Sequence, residues 1–234
     1  DYVSERNESA VKRAKNEIEM FFREPFAVAK TLTFNSALVN QNLPAINAVF
    51  LNTVKTFPII TEVAYYDYQA KHLVYSTKPL NSSVWVDTLD LLRQFEINQQ
   101  VVSEVYFDAK NEPHLNVFTP IRKFNEIQAI LVVVIDLKYI WQLIDEIKLG
   151  KYGQAFLITQ DSKLIAHRNK EMVLKQQLMT TFIDQSLEYG SSPYKNENNE
   201  TIIGTHARID KLNWYLVVEQ RDNEANSLIE LMIQ

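Results

Sequence analysis

The chain has 234 residues, of which 46% are hydrophobic and 11% aromatic, which is the composition of a folded protein rather than a disordered one. Its formal net charge of −5 argues against a surface that follows nucleic-acid phosphates. The absence of cysteine excludes disulfides, thiolate metal sites and thiol nucleophiles. The apolar run at 129–135 is far shorter than the roughly 20 residues that span a bilayer, and it predicts a buried strand.

Both ends of the chain have helical character. Residues 1–52 predict a long helix, in which Pro25 is expected to produce a kink or an interruption. A second amphipathic stretch predicts an exit helix over residues 221–234. A module that is entered and left by helices is typical of a region between two membrane spans. A soluble protein with trimmed ends would show the same pattern.

The first half of the remaining chain, residues 53–137, combines strand and helix patterns. Short aromatic and β-branched segments predict a hairpin, and three longer segments predict further strands. A helical spacing over residues 82–95 predicts a crossover between them. The hairpin is expected at 62–68 and 71–76, and the later strands at 101–108, 114–123 and 128–137. This order of elements is that of a PAS-like half.

The same order of elements then returns in the second half. Residues 138–148 predict a connecting helix, and residues 149–220 a second PAS-like half. Its predicted elements are a hairpin at 154–159 and 164–167, a helix at 171–187, a break at 190–193, and strands at 201–208 and 213–219. The sequence therefore predicts an α+β fold in which a long N-terminal helix carries two PAS-like antiparallel-sheet lobes.

Four segments in this order resemble the double Cache sensor family. Residues 150–167 resemble the entry into its second lobe, although Ser162 stands where the family usually has glycine. Residues 212–220 resemble its last strand. In the first half, residues 102–108 and 132–137 are similar to its third and fifth strands.

The resemblance implies a location and a function. The lobe at 53–137 would be membrane-distal and hold a small ligand, and the lobe at 149–220 would be membrane-proximal. The chain would be the extracytoplasmic, periplasmic part of a bacterial inner-membrane histidine kinase, diguanylate cyclase or chemoreceptor. Flanking transmembrane helices would anchor it, and we expect a homodimer in the full receptor. Ligands of the family include amino acids, amines and carboxylates.

We expect the proximal lobe to be filled mainly by its own side chains, with few polar groups directed inward. The large apolar residues available for this are Met179, Phe182, Ile183 and Leu187.

Three side chains are candidates for the distal pocket. Tyr106 and Asp108 share one face of a strand because side chains alternate every two residues. Asp136 ends an apolar strand, where a carboxylate is costly unless it is solvated or paired. The resemblance places all three in the pocket, where the carboxylates would receive an amino group. Alternatively, Asp108 is a turn residue before Asn111, and Asp136 caps the helix that follows.

The ligand class is indicated by a departure from the family pattern. Amino-acid-binding members carry Arg-x-Trp-Tyr upstream, and residues 83–86 keep only the tryptophan, Trp85. Trp85 is expected either to form a pocket wall or to pack in the core. Since the arginine that would grip a carboxylate is missing, we expect a ligand that carries a positively charged nitrogen and need not carry a carboxylate.

No pattern in the sequence indicates catalysis. The four histidines lack H-x-x-H or H-E-x-x-H spacing, and the chain has no G-x-S-x-G, P-loop or dinucleotide motif. We therefore expect no catalytic residue, metal site or cofactor, and no enzymatic activity in this region. Two functions remain open: a sensor of small molecules, or a periplasmic protein-interaction or structural module without such a ligand.

Overall fold

The structure is a computed structural model that describes residues 2–78, 88–147, 149–179, 181, 183–196 and 198–222. By its contacts the chain divides into two compact units. The first-sheet unit comprises Phe21–Leu137, and the second-sheet unit comprises Asp1–Met20 together with Lys138–Gln234. Each unit contains one antiparallel sheet.

Three helices precede the first strand, where one helix was predicted over residues 1–52. They are α1 (Tyr2–Leu32), α2 (Ser36–Val39) and α3 (Leu43–Thr56). Two new helices begin after α1, because the side chains of Asn35 and Asn42 cap α2 and α3 by accepting backbone N–H groups. Pro25 lies inside α1 and does not end it, so the predicted interruption is wrong. A proline removes one backbone hydrogen bond, and the remaining hydrogen bonds of this 31-residue helix are enough to keep α1 continuous.

The first sheet has the strand order β2-β1-β6-β5-β3, and β4 also pairs with β5. The predicted strand at 101–108 is divided after Val102, where the Ser103 N–H still donates to the Asn116 backbone oxygen at 2.9 Å, but the Asn116 N–H donates to the Ser103 hydroxyl at 2.9 Å instead of to a backbone oxygen. The crossover helix is described from Thr88 onward, and its predicted start lies outside the described residues. The elements are β1 (Ile60–Asp67), β2 (His72–Ser76), α4 (Thr88–Phe95), β3 (Val101–Val102), β4 (Tyr106–Phe107), β5 (Pro113–Lys123) and β6 (Glu126–Asp136).

The two faces of the first sheet pack against different helices. The inner face carries Ala64, Phe118 and Val132, which form a buried cluster with Leu91 and Phe95 of α4. On the opposite face, Tyr65 is buried, and its hydroxyl donates to the backbone oxygen of Leu38 in α2 at 3.3 Å. Each fully buried large apolar side chain stabilises the unit by about 1.5–3 kcal/mol.

The second sheet has the order β8-β7-β11-β10-β9. The helix predicted at 171–187 is confined to a short α6, after which Leu178 forms an isolated bridge with Lys163. The break predicted over residues 190–193 is wrong, because these residues lie within β9, where Gly190 is opposite His206. The elements are α5 (Lys138–Glu146), β7 (Gln154–Thr159), β8 (Leu164–His167), α6 (Lys170–Leu174), β9 (Tyr189–Lys195), β10 (Thr201–Ile209) and β11 (Trp214–Arg221). The predicted exit helix lies outside the described residues beyond Asp222.

Each sheet has a proline at an edge. Pro193 lies in the edge strand β9. Pro120 lies in β5 beyond Phe118, which is the last residue that β3 pairs within the described part of the chain.

Candidate functional site

One end of the inner face of the first sheet carries a row of polar side chains. His114 in β5 pairs directly with Tyr106 in β4 and with Asp136 in β6. Residues directly opposite in antiparallel strands extend their side chains to the same face. The next row places Asn116 of β5 and Glu62 of β1 on either side of Val134. We call the five polar side chains of these two rows the polar cluster: Glu62, Tyr106, His114, Asn116 and Asp136.

Asp108 is bound into the turn between β4 and β5. Its Oδ1 accepts the backbone N–H groups of Lys110 (2.8 Å) and Glu112 (3.0 Å), and its Oδ2 lies 3.1 Å from His114 Nε2. The hydrogen bond from Glu112 is the main reason that the pKa of Asp108 falls to about 2, with His114 and Lys110 contributing further. This geometry agrees with the turn-residue alternative, while direct contact with a ligand stays a prediction.

The lowered pKa of Asp108 predicts a loss of stability in acid. Its contribution is present above the unfolded-state pKa of 3.8 and is lost as the pH falls toward 2, because protonation then favours the unfolded chain. The side chain is 35% exposed, so screening reduces the effect to about 1 kcal/mol. Urea unfolding between about pH 5 and pH 2 should therefore show a weaker pH dependence for Asp108→Asn than for the unmodified chain.

The matched control is Asp67→Asn, since Asp67 accepts a single backbone N–H, that of Ala70, in the β1–β2 turn. The pH dependence of urea unfolding should change less in Asp67→Asn than in Asp108→Asn. If the free energy of unfolding depended on pH equally in the unmodified chain and in Asp108→Asn, Asp108 would not be the source of the acid-dependent loss of stability.

Tyr106 links the two rows of the polar cluster. Its hydroxyl donates to Asn116 Oδ1 at 2.8 Å, and its ring centroid lies 5.8 Å from that of His114. Burial raises the pKa of Tyr106 well above its ordinary value, and the charges of Glu62 and Asp108 raise it further. Tyr106 therefore stays a neutral hydrogen-bonding group at physiological pH.

Glu62 is a buried carboxylate that the sequence analysis did not select. It is only 3% exposed, and its Oε1 accepts the Ser76 hydroxyl at 2.6 Å. One feature of the sequence does indicate Glu62: it is a charged residue on the same face of β1 as Ala64. The sequence does not indicate His114 either, because its spacing to the other histidines matches no metal-binding pattern.

Asp136 is the last residue of β6, and its backbone N–H donates to Ile59 at 2.9 Å. Because α5 begins at Lys138, the N-cap position belongs to Leu137 and Asp136 precedes it. Both roles of Asp136, in the pocket and at the start of α5, stay predictions. Trp85, the remaining predicted site residue, lies outside the described residues.

Two other features of the first-sheet unit could hold a ligand. Asp108, Glu112 and His114 have ligand atoms within 4.8 Å of one another, close enough to share a metal ion. These three residues lie close together because both oxygens of Asp108 accept hydrogen bonds from its own turn and from His114, so their proximity does not require a metal ion. A cleft of about 490 Å³, away from the polar cluster, is lined in part by Lys30 and Arg122 and would favour an anion over an ammonium group.

The second sheet has a polar network whose members bind one another. Both oxygens of the buried Glu219 are occupied, Oε1 by the Tyr194 hydroxyl and Oε2 by Gln154 Nε2 at 2.7 Å. Gln154 Oε1 lies 3.1 Å from His167 Nε2, and burial lowers the pKa of His167. The expectation of few inward polar groups is therefore wrong.

Of the apolar residues expected to fill this lobe, Leu187 is 47% exposed and Phe182 lies outside the described residues. Met179 and Ile183 are half-buried.

Several solved structures share this fold. The extracellular domain of the proposed histidine kinase mmHK1S-Z2 has a TM-score of 0.77 at 14% identity, covering 96% of this chain and 99% of that one. The ligand-binding domain of the Pseudomonas fluorescens chemoreceptor CtaA, in complex with L-isoleucine, has a TM-score of 0.72 at 13% identity, covering 97% and 95%. The ligand-binding domain of the Pseudomonas aeruginosa PAO1 amino acid chemoreceptor PctC, in complex with GABA, has a TM-score of 0.69 at 15% identity, covering 94% and 98%.

No curated protein matches the chain. Within its described part, no helix has both the length and the apolar character needed to cross a bilayer. The family model of the double Cache type, described as a Cache domain, matches residues 1–229. The two antiparallel sheets and the long N-terminal helix agree with this match. The chain therefore belongs to the Cache domain family, as the resemblance of its four segments indicated.

Proposed function

We propose that this chain is the extracytoplasmic sensing region of a bacterial transmembrane receptor. It binds a small molecule with a positively charged nitrogen at the polar cluster of the first sheet. Cache domains are ligand-binding rather than catalytic modules. Two structural relatives are ligand-binding domains of chemoreceptors in complex with L-isoleucine or GABA, both of which carry an ammonium group. The output of the full receptor (kinase, cyclase or chemotaxis signalling) and its dimeric state are further parts of this proposal.

The observation that carries the ligand class is the charge of the polar cluster. Glu62 and Asp136 contribute two carboxyl groups, while the described part of these two rows holds no lysine or arginine. A cationic nitrogen donates several hydrogen bonds, and charged acceptors bind it more strongly than neutral ones. A ligand with carboxylates and no positively charged nitrogen would instead meet like charge at this face.

A thermal-shift panel tests the proposal with L-isoleucine, GABA, putrescine and succinate. We expect at least one of the three amines to raise the melting temperature and succinate to have no effect. A ligand at 100 times its Kd adds about 2.7 kcal/mol of stability. Calorimetry on the responding amine then gives its Kd.

Variants of the cationic cleft, Lys30→Ala and Arg122→Ala, provide the control and should leave amine binding unchanged. Tight binding of succinate that depends on Lys30 and Arg122 would contradict the proposed site. If no compound stabilises the chain, while a periplasmic extract supplies a protein that does, the interaction-module alternative is favoured.

A further inference from the structure

His114 occupies a central position in the polar cluster. The residue is 4% exposed, and its neighbours across the strands are Tyr106 on one side and Asp136 on the other. Directly opposed side chains on antiparallel strands have Cβ atoms about 4.5–5.5 Å apart. A group that binds Asp136 from the inner face is therefore also within reach of the imidazole.

The orientation of the His114 ring is fixed by Asp108. Nε2 lies 3.1 Å from Asp108 Oδ2, and the carboxylate is in turn held by two backbone N–H groups. An ionised carboxylate can only accept hydrogen bonds, so Nε2 carries the proton that is shared with Asp108. In a neutral imidazole the other nitrogen, Nδ1, then presents a lone pair.

Among the described residues, Nδ1 of His114 is buried and has no hydrogen-bond partner. Leaving a buried polar group unsatisfied costs free energy, and native structures seldom do so without a reason. His167 in the second sheet provides the contrast, since its Nε2 lies 3.1 Å from Gln154 Oε1 and its Nδ1 accepts the Asn169 N–H at 2.9 Å. Both histidines lie in strands and are buried, but within the part of the chain that the structure describes only His167 has both nitrogens bonded.

We infer that His114 is a ligand-binding residue, whose Nδ1 accepts a hydrogen bond from the charged nitrogen of the ligand while Asp108 acts as a positioning residue. This inference rests on the proposed function and adds a residue to its site. The ammonium group would divide its N–H bonds between the Asp136 carboxylate and His114 Nδ1. Asp108 thus influences the ligand through the imidazole instead of touching it.

The test compares His114→Phe with His114→Gln in the full chain, using GABA and putrescine as probes. Phenylalanine keeps a planar ring but has no acceptor, so the affinity for whichever probe binds should fall at least tenfold. Glutamine offers an acceptor oxygen and should recover part of that loss. The melting temperature of ligand-free His114→Phe should change little, because the variant removes the unpaired Nδ1 and also the Nε2 bond to Asp108, whose carboxylate keeps its two backbone donors. A purely structural histidine would leave the affinity unchanged and lower the melting temperature.

Nitrogen-15 NMR of histidine-labelled protein tests the role of Asp108. The ligand-free chain should show the Nε2–H tautomer at His114, the probe should shift the Nδ1 resonance, and Asp108→Asn should mix the tautomers and weaken probe binding. Unchanged affinity in His114→Phe, with binding lost in Asp136→Asn, would overturn this inference alone. If none of L-isoleucine, GABA and putrescine binds the unmodified chain, both the proposed function and the inference fail.

Discussion

Replacing Gly204 with alanine is expected to destabilise the second-sheet unit by about 2–4 kcal/mol. An added Cβ would lie 2.4 Å from Cε1 of the Tyr194 ring and 2.7 Å from its hydroxyl oxygen. The ring cannot simply move away, because its hydroxyl donates to the buried Glu219. The alanine therefore either strains the sheet or leaves an oxygen of a buried carboxylate without its donor. Urea unfolding of the full chain measures this loss.

A double-mutant cycle separates this clash from a general intolerance of β10. Tyr194→Leu removes the ring that the new methyl group would meet, so adding Gly204→Ala to that variant should cost much less than adding it to the unmodified chain. Equal costs in the two backgrounds would show that the contact with Tyr194 is not the cause.

Replacing Asp136 with asparagine is expected to weaken amine binding at least tenfold. The substitution keeps the shape of the side chain and removes its charge. Losing one partner of a buried charged hydrogen bond typically costs about 2–5 kcal/mol, and each ~1.4 kcal/mol is a factor of ten in Kd. Calorimetry with GABA or putrescine measures the change, and the melting temperature of the ligand-free variant should change little.

Glu126→Gln is the matched control, because Glu126 is an exposed residue at the other end of β6. It should leave affinity unchanged. If Asp136 served only to support α5, asparagine would be nearly as good, and affinity would also be unchanged in Asp136→Asn.

The sequence predicted most strands of the fold because their signals are local. Alternating side chains with polar turns between them predicted the β1–β2 and β5–β6 hairpins, and both are present. The errors arose where nonlocal contacts decide the outcome. The apolar spacing over residues 171–187 is helical, but only α6 forms, and Leu178 pairs with Lys163 instead. Gly190 belongs to a strand because His206 lies opposite it, a pairing between residues far apart in the chain.

The candidate site was predictable only in part for the same reason. The strand period of two residues predicts one face for Tyr106 and Asp108, and the position of Asp136 at the end of an apolar strand makes it a candidate. Which residues lie beside them depends on the register between strands. That register, which a single sequence does not reveal, brings Glu62 and His114 into the polar cluster. The bonds of Asp108 to its turn are also invisible in a single sequence; they agree with the turn-residue alternative, and its contact with a ligand stays a prediction.

The prolines at the sheet edges also bear on how the protein behaves at high concentration. An unpaired strand edge presents a row of N–H and C=O groups to which a second chain can add, which is a common start of aggregation. Pro120 and Pro193 have no N–H to offer, and their rings obstruct an incoming strand. Neither β5 beyond Phe118 nor β9 is therefore a good template for strand addition. At these two edges the prolines oppose the addition of a strand from a second copy of the chain.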